Sequence, residues 1–517
     1  MASSELAFYA AVLTAVTIFL PVCRLLYNVS PLHPLSAYPG PRLWHASRLP
    51  WAISLQKGRL HADLIRIHEQ YGCIVRIAPN ELSYIDARAW KDIYLTHTRT
   101  SDGSTGKMLE KNSVWFKPLV PGDPANVMNH NEDDHARHRR AFMPAFTDKA
   151  LQSQMPILTA NISGLIEQLK RRSRDGVLVN IVDWLNLVTF DISGQLSFGE
   201  TFGSVAAGKA HPWVDISIGF GKGLTRYPFN LLLKYLMPAK ALDRVLYHRK
   251  LVAEKVQQKL EAGEGGRRAD FIDAAVQTQQ TAIESGKDKQ AISIKEIETN
   301  MFVLIFAGSE TVSTALAGIL HALLRTPRAM KRLENEVRQA FHQEEQITPA
   351  AVQKLEYLTA VISEGQRLHP SVPYGVPRVV PKGGAYVCER FVPEGTHVAF
   401  NQLPANHSPL NYADPREFRP ERFLTSTTAD TFSASSGPDM DKSDMSPERF
   451  TIPLASVASL LVWAFDVEAV DEKEGGGEEK PKRNFIDQPT WIFWQKDPIW
   501  VRLKERVASN EFRGSVA

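Results

Sequence analysis

The chain has 517 residues, with 60 lysines and arginines against 57 aspartates and glutamates, so its formal net charge is +3 at pH 7. A charge balance this close to neutral lacks the excess of positive charge that is typical of nucleic-acid-binding proteins, and we expect no nucleic-acid partner. Its three cysteines, Cys23, Cys73 and Cys388, are too few for a disulfide-dense secreted scaffold, and no C-x-x-C pair indicates a thiolate zinc site.

An uncharged segment lies near the start of the chain. Residues Leu6–Cys23, LAFYAAVLTAVTIFLPVC, reach the lower end of the length that spans a bilayer as a helix, about 17–25 residues. Arg24 follows this segment, and positive charge on that side favours a cytosolic location for the rest of the chain. We therefore predict one transmembrane anchor over residues 1–30, in the endoplasmic reticulum membrane, and one domain over residues 31–517. A cleaved signal peptide is the alternative, although a basic n-region is absent.

Four prolines between residues 31 and 41 predict a stiff, extended linker after the anchor. From residue 60 to residue 380 most segments have a helical pattern, and strand signals are short: Ile74–Ala78, Leu82–Ile85 and Thr396–Phe400. Near the C-terminal end, the segments TWIFWQ and IWVRL look like a pair of strands. The predicted fold class is mostly α with minor β.

The clearest predicted helix is SIKEIETNMFVLIFAGSETVSTALAGILHALLRTP. Ser293 and Glu296 form an S-x-x-E capping box that marks its beginning, and Pro327 marks its end. Its middle is apolar on all sides, so we expect the helix to be buried in the core. Glu310 and Thr311 nevertheless lie within that buried stretch.

A buried carboxylate such as Glu310 needs partners, because an unpaired charge away from water is costly. Gly308 and the Thr311 hydroxyl could loosen the backbone hydrogen bonds of the helix and make room for a small ligand or for water. The alternative is a polar pair that faces a wet groove, as on many long helices. The residues alone leave both interpretations open.

A second helix, AVISEGQRLHP, places Glu364 and Arg367 three positions apart on one face, and Pro370 ends it. An i,i+3 ion pair is a weak signal, but apolar residues flank this one. Arg422, in DPREFRPERFL, could join the pair. A buried carboxylate with two guanidiniums is costly unless it is fully paired, which predicts a structural lock.

Taken in order, AGSET, EGQR and FRPERF resemble the cytochrome P450 family of haem-thiolate monooxygenases. The segments HARHRRAFMPAF and WIFWQKDPIWVRL also fit, so the resemblance covers nearly the whole chain. The sequences of the segments YPGPRLW and YGCIVRIAPNELSYID most resemble those of filamentous-fungal members of secondary metabolism. This resemblance implies a cytochrome P450 fold on a membrane anchor, haem as cofactor, an NADPH-cytochrome reductase as electron donor, and an apolar small molecule as substrate.

The resemblance also assigns roles to individual residues. Glu310 and Thr311 become the acid–alcohol pair that delivers protons, which is ordinary general-acid chemistry. The set that locks the fold on the proximal side of the haem is Glu364, Arg367 and Arg422.

Three further residues become donors to the haem propionates: His135, Arg139 and Arg378. For His135 and Arg139, which lie one helical turn apart, the alternative is an exposed basic helix. A purely structural role is the alternative for Arg378.

The family's metal ligand is missing from the place where the resemblance expects it. A thiolate pushes electron density onto the iron and favours O–O cleavage. The segment PERFTIPLASVASLLVWAFDVE contains no cysteine, and Phe450 and Trp463 lie only 13 positions apart. Phe450 and Pro453 resemble the start of the ligand signature, and the residues after Pro453 resemble the later part of the next helix. The cysteine loop and the start of that helix are absent, and we assign no metal ligand to Cys388 or His407.

Two interpretations follow. In the first, the gene encodes a membrane-bound monooxygenase, and a wrongly assigned intron boundary removes the ligand segment from the sequence. In the second, the protein is an inactive relative that at most binds apolar ligands at a membrane. The motifs on either side of the missing segment keep the family pattern, which favours the first interpretation for the gene. For the chain as written, we predict no thiolate-ligated haem. The sequence leaves the substrate open.

Overall fold

The computed structural model of the chain describes residues 17, 19–95, 108–113, 115, 123–128, 132–211, 239–261, 270–424, 447–470, 474 and 484–506. Most of the predicted anchor Leu6–Cys23 therefore lies outside the described residues. The chain divides into two compact units. One, here the sheet unit, comprises Met1–Asn112 and Tyr374–Asn411, and the other, the helical unit, comprises Ser113–Pro373 and Tyr412–Ala517.

The strands are short and few compared with the helices, as the sequence predicts. In chain order they are β1 Ile74–Ala78, β2 Glu81–Tyr84, β3 Glu110–Lys111, β4 Val179–Asn180, β5 Arg378–Val379, β6 Ala385–Val387, β7 Arg390–Val392, β8 His397–Phe400, β9 Phe465–Ala469 and β10 Trp500–Glu505. The predicted strands near residues 74–78, 82–85 and 396–400 are confirmed to within a residue or two.

The sheet unit is built on a five-stranded sheet with the order β1-β2-β8-β5-β3. Strand β2 pairs in antiparallel fashion with β1 and in parallel with β8, and every residue of β1 and β2 is buried. Strands β6 and β7 form a separate hairpin. The helices of this unit are Phe19–Val29, Arg42–Ala46, Leu49–Gln56, Leu60–Tyr71, Ala87–Trp90 and Gln402–Asn406, with a π-helical turn at Lys91–Leu95.

The proline-rich stretch after the first helix folds back onto the sheet unit. Leu35 is 2% exposed, and the Tyr38 hydroxyl donates a hydrogen bond to the carbonyl of Phe391 at 3.1 Å. The carbonyl of Pro39 accepts a bond from the backbone N–H of Arg76 at 2.8 Å. The prediction of an extended linker is therefore wrong, because buried apolar contacts and sheet hydrogen bonds hold these residues in turns.

The helical unit contains most of the helices. They are Glu132–Phe142, Asp148–Arg174, Ile181–Phe198, Ser204–Ala207, Ala239–Glu261, Phe271–Glu284, Ile294–Arg325, Pro327–Ala340, Pro349–Val352, Glu356–Leu368 and Pro447–Ala464, with 3-10 turns at Met143–Phe146, Asp288–Gln290, Glu344–Gln346, Pro420–Phe423 and Phe485–Asp487. We call Ile294–Arg325 the long helix and Glu356–Leu368 the triad helix.

The long helix begins and ends where the sequence predicts. Ser293 and Glu296 form the capping box, and the last helical residue is Arg325, shortly before Pro327. Within the described residues, one helical stretch, Asp288–Arg325, is long and apolar enough to cross a membrane, but 72% of its most apolar window is buried in the fold, as in the core helix of a soluble protein.

Small residues bring the long helix and the triad helix close together. A Cβ on Gly318 would lie 2.8 Å from the Cβ of His369, and a Cβ on Gly365 would lie 2.3 Å from Cγ1 of Ile319. These distances are shorter than van der Waals contact, so glycine at both positions allows the backbones to approach. The helix that carries Glu310 is thereby packed directly against the helix that carries Glu364.

The end of the chain differs from the prediction in one respect. The segments TWIFWQ and IWVRL do not pair with each other: Thr490 bridges Trp494 within the first segment, whereas β10 pairs with β4 and β9. Pattern alone could not identify these partners, because β4 lies more than 300 residues upstream of β10. Helix Pro447–Ala464 leads directly into β9.

Candidate functional site on the long helix

Glu310 is buried, with 7% of its surface exposed, and it is paired with a charge that the sequence analysis did not identify. The ammonium of Lys496 donates to Oε1 of Glu310 at 2.5 Å, to the Ser313 hydroxyl at 2.9 Å and to the Thr314 hydroxyl at 3.2 Å. Ser313 and Thr314 follow Glu310 by three and four positions, so all three side chains lie on one face of the helix. The arrangement gives a buried carboxylate the partner that it needs.

Lys496 is held in place from both sides. Two residues before it, the indole N–H of Trp494 donates to the carbonyl of Pro370 at 2.8 Å. One residue after it, the backbone N–H of Asp497 donates to Oε1 of Gln488 at 2.8 Å. A single lysine in the apolar run WIFWQKDPIW is the sequence signal that could have identified it.

Thr311 has different partners from Glu310. Its hydroxyl donates to the carbonyl of Ala307, four residues earlier, at 2.6 Å, and its own carbonyl accepts a bond from the Ser371 hydroxyl at 2.7 Å. The helix is α-helical throughout Ile294–Arg325. At Gly308 a Cβ would lie 3.0 Å from Oγ of Ser193, so glycine at this position allows close packing against helix Ile181–Phe198.

The structure brings Glu364, Arg367 and Arg422 together in the core of the helical unit. The carboxylate accepts bonds from Nε of Arg367 at 2.6 Å, from Nη2 of Arg367 at 3.0 Å and from Nε of Arg422 at 3.1 Å. The backbone N–H of Arg419 donates a fourth bond at 2.8 Å. The side chain of Glu364 is fully buried, and each arginine side chain is only 2% exposed.

Backbone carbonyls satisfy the remaining donors of the two guanidiniums. Arg367 donates to the carbonyl of Pro415 at 2.7 Å, and Arg422 donates to the carbonyl of Ala413 at 2.9 Å. Both guanidiniums also lie near the ring of Tyr412, at 4.9 Å and 5.9 Å from its centroid. The network thus ties the triad helix to residues 412–422, with one carboxylate and several backbone carbonyls accepting from the two guanidiniums.

On helix Glu132–Phe142, the predicted donors are His135 and Arg139, whereas Arg137 and His138 contact the long helix. The ring nitrogen Nδ1 of His135 lies 2.5 Å from the carbonyl of Val127, and Arg139 is partly buried. Arg137 instead forms two bonds to the carboxylate of Glu296, at 2.6 Å and 3.1 Å. His138 contacts the amide of Asn300 at 2.8 Å.

Glu296 shows the electrostatic effect of this contact. Burial alone would raise the pKa of its carboxyl, but the hydrogen bonds from Arg137 and from Ser293 outweigh burial and lower the pKa to about 2. The capping box and the interhelical ion pair thus use the same carboxylate. The family resemblance of HARHRRAFMPAF pointed to His135 and Arg139, and only the tertiary structure identifies Arg137 as the partner of Glu296.

Arg378 belongs to the sheet unit, whereas the other predicted site residues belong to the helical unit. It lies on β5, where its guanidinium is 5.6 Å from the ring centroid of Tyr94 and 3.4 Å from the carbonyl of Leu109. Burial, together with the neighbouring positive charge of Arg378, lowers the pKa of Lys111 to about 8. Arg378 is therefore part of a positively charged part of this sheet.

A buried acid next to a threonine on the long helix, followed by an E-x-x-R pair locked to a downstream arginine, defines the framework of haem-thiolate oxygenases. The chain belongs to the cytochrome P450 family: the family model described as Cytochrome P450 matches residues 38–438.

Curated relatives cover almost the full length of the chain. A cytochrome P450 monooxygenase of Stereocaulon alpinum is 34% identical, over 93% of this chain and 92% of the relative. The versicolorin B desaturase of Emericella nidulans is 34% identical, over 93% and 96%. The averantin hydroxylase of Dothistroma septosporum is 34% identical, over 92% and 87%.

The family implies haem, and the side chains of this chain can be tested against that group. Of the three cysteines, Cys388 is buried, and Cys23 and Cys73 are partly buried. Cys388 lies in the turn between β6 and β7, with a φ of 49°, and burial raises the pKa of its thiol to about 12, which disfavours a thiolate.

Helix Pro447–Ala464 follows the triad in the chain and leads into β9. In the family, the metal ligand would lie before this helix. This helix contains no cysteine, histidine, methionine or tyrosine. Among the residues that the structure describes, no group of three or more histidine, cysteine, aspartate or glutamate side chains could hold a metal ion. The framework of the family is present, and helix Pro447–Ala464 itself offers no sulfur or imidazole side chain to a haem iron.

Proposed function

We propose that the gene for this protein encodes a cytochrome P450 monooxygenase of secondary-metabolite biosynthesis. It inserts one oxygen atom into an apolar small molecule, with electrons from NADPH supplied by a cytochrome reductase. The observation that carries this proposal is the buried Glu310 beside Thr311 on a helix packed against a fully paired Glu364–Arg367–Arg422 network. The monooxygenase, desaturase and hydroxylase relatives support the same class of reaction.

The roles of individual residues form part of the proposal. Glu310 and Thr311 hold and deliver protons at the distal face of the site. His135, Arg139 and Arg378 donate hydrogen bonds to haem propionates. The triad described above keeps the proximal side of the helical unit in register.

For the chain with its present sequence, we propose a second function: a membrane-held binder of apolar molecules without thiolate-supported oxygen chemistry. The observation that favours it is the composition of helix Pro447–Ala464, which offers no sulfur or imidazole ligand.

Sequencing of the transcript across the codons for Met445 to Trp463 separates the two proposals. An additional in-frame segment that carries phenylalanine, glycine, arginine and cysteine would establish the monooxygenase and remove the second proposal. A transcript that joins Pro453 directly to Leu454 would leave the haem-thiolate-deficient protein, and the monooxygenase proposal would be wrong.

We further propose that residues 1–30 anchor the protein in the endoplasmic reticulum membrane, with the remainder in the cytosol. The described end of this segment supports the proposal, because Phe19, Leu20 and Leu26 on helix Phe19–Val29 are each at least 60% exposed. Apolar side chains exposed in this way are stabilised by lipid. Protease treatment of sealed microsomes tests the topology: we expect digestion of residues 31–517 from the cytosolic side, and full protection would contradict it.

A further inference from the structure

Both members of the ion pair between Lys496 and Glu310 are buried. The exposed fractions of the two side chains are 5% and 9%. Moving an ammonium and a carboxylate out of water costs several kcal/mol per ion unless the pair and its remaining hydrogen bonds are complete. Here the ammonium uses its three N–H donors on Glu310, Ser313 and Thr314.

The contact joins two distant parts of the chain. Lys496 lies 186 positions after Glu310. Trp494 and Asp497 fix the lysine on either side of the contact, as described above, so its position does not depend on the ion pair alone. The ammonium therefore acts as a fixed charge that Glu310 meets when the C-terminal segment packs on the long helix.

The pair also determines which way Glu310 points. Consecutive residues of an α-helix are separated by about 100° around the axis, so Glu310 and Thr311 face different neighbours. The carboxylate lies with Ser313 and Thr314 against Lys496, whereas the Thr311 hydroxyl is bonded to the carbonyl of Ala307. The two residues of the acid–alcohol pair are thus held by separate partners.

We propose that Lys496 is a positioning residue for Glu310. It holds the carboxylate in its ionised form on the face of the long helix that packs against the C-terminal segment. Contact with an ammonium favours the charged form of a carboxylate. It follows that the Glu310 carboxylate can turn toward Thr311 only when its bond to Lys496 opens. This inference rests on the proposed function for the role of Glu310, and it adds the residue that controls that carboxylate.

Infrared difference spectroscopy of the full-length chain tests the proposal without haem. The spectrum of the protein minus that of Glu310→Gln should contain carboxylate bands and lack the carbonyl stretch of a protonated carboxyl group. In Lys496→Met we expect that carbonyl stretch to appear, and it should vanish in Lys496→Met combined with Glu310→Gln. Lys496→Arg should restore the spectrum of the unmodified protein, because a guanidinium also carries the positive charge.

A matched control is the exposed pair of Lys170 and Glu344, whose side chains are 23% and 28% exposed with an N–O distance of 2.8 Å. Lys170→Met should produce no carbonyl stretch, because Glu344 can be solvated by water. The proposal is overturned if Glu310 is already protonated in the unmodified protein, or if it stays ionised in Lys496→Met. Should Lys496→Met not fold, Lys496→Gln, which also removes the positive charge, takes its place, and an ionised Glu310 in that variant overturns the proposal.

The infrared experiment and the transcript experiment test different proposals, so either proposal can be refuted while the other stands. A transcript that joins Pro453 to Leu454 would remove the monooxygenase proposal and leave the Lys496–Glu310 inference intact. An ionised Glu310 in Lys496→Met would remove this inference, and a ligand-bearing transcript would still support the monooxygenase.

Discussion

Replacement of Glu364 by glutamine is the sharpest perturbation of the framework, because it removes one charge and almost no volume. Two arginine side chains, each 2% exposed, would then remain buried without their counter-charge. Breaking a buried ion pair by removing one partner typically costs about 3–5 kcal/mol. The backbone carbonyls that also accept from Arg367 and Arg422 remain in place, so we expect a loss within that range rather than above it.

Urea unfolding of the full-length protein, followed by far-UV circular dichroism, measures this loss as a lower midpoint with an unchanged slope. Glu167→Gln is the matched control, since it makes the same chemical change in the i,i+4 pair with Arg171, whose side chains are 70% and 62% exposed. A surface pair of this kind contributes about 0–1 kcal/mol. If Glu364→Gln lowers the free energy of unfolding no more than the control, the network is not a lock and our reasoning about its burial is wrong.

Three further predictions concern packing, pH and thiol reactivity. Gly365→Ala places a Cβ 2.3 Å from Cγ1 of Ile319 and should lower the free energy of unfolding by about 1–3 kcal/mol, whereas Gly164→Ala, with no atom within 4 Å of its Cβ, should be neutral or stabilising in thermal unfolding. Burial lowers the pKa of His68 to about 4 from an ordinary 6.5. The unfolded chain then binds the extra proton first, so about 3 kcal/mol of stability, complete above pH 6.5, is lost as the pH falls toward 4. His68→Gln should flatten that part of the stability–pH curve, and an unchanged curve would contradict the assignment. Finally, because burial raises the pKa of the Cys388 thiol, iodoacetamide at pH 8 should label this residue only after unfolding, and mass spectrometry that finds native labelling at the rate of a free peptide thiol would refute its burial.

Local spacing was sufficient to predict the framework of the site. The capping box at Ser293, the stop before Pro327 and the i,i+3 spacing of Glu364 and Arg367 are all short-range signals, and short-range hydrogen bonds form them in the structure. Arg422 is a longer-range partner. It lies in FRPERF, one of the motifs that carry the resemblance to the family.

Features that depend on distant segments were not predictable in the same way. The partner of Glu310 lies 186 positions away, and the partners of β10 are set by tertiary packing rather than by neighbouring sequence. The prolines before residue 42 predicted an extended linker, but their composition cannot tell a free spacer from a segment that packs on a sheet. In each case the deciding energy comes from burial against residues far along the chain.

The absorption spectrum of the purified chain after reduction and treatment with carbon monoxide, recorded with added haem, tests the central claim most directly. The claim is that this chain has the framework of a cytochrome P450 without the axial thiolate. We predict that the spectrum lacks the thiolate-type band, because neither helix Pro447–Ala464 nor the buried Cys388 offers a thiolate. A thiolate-type band from this chain would contradict the account and would require one of its three cysteines to reach the iron.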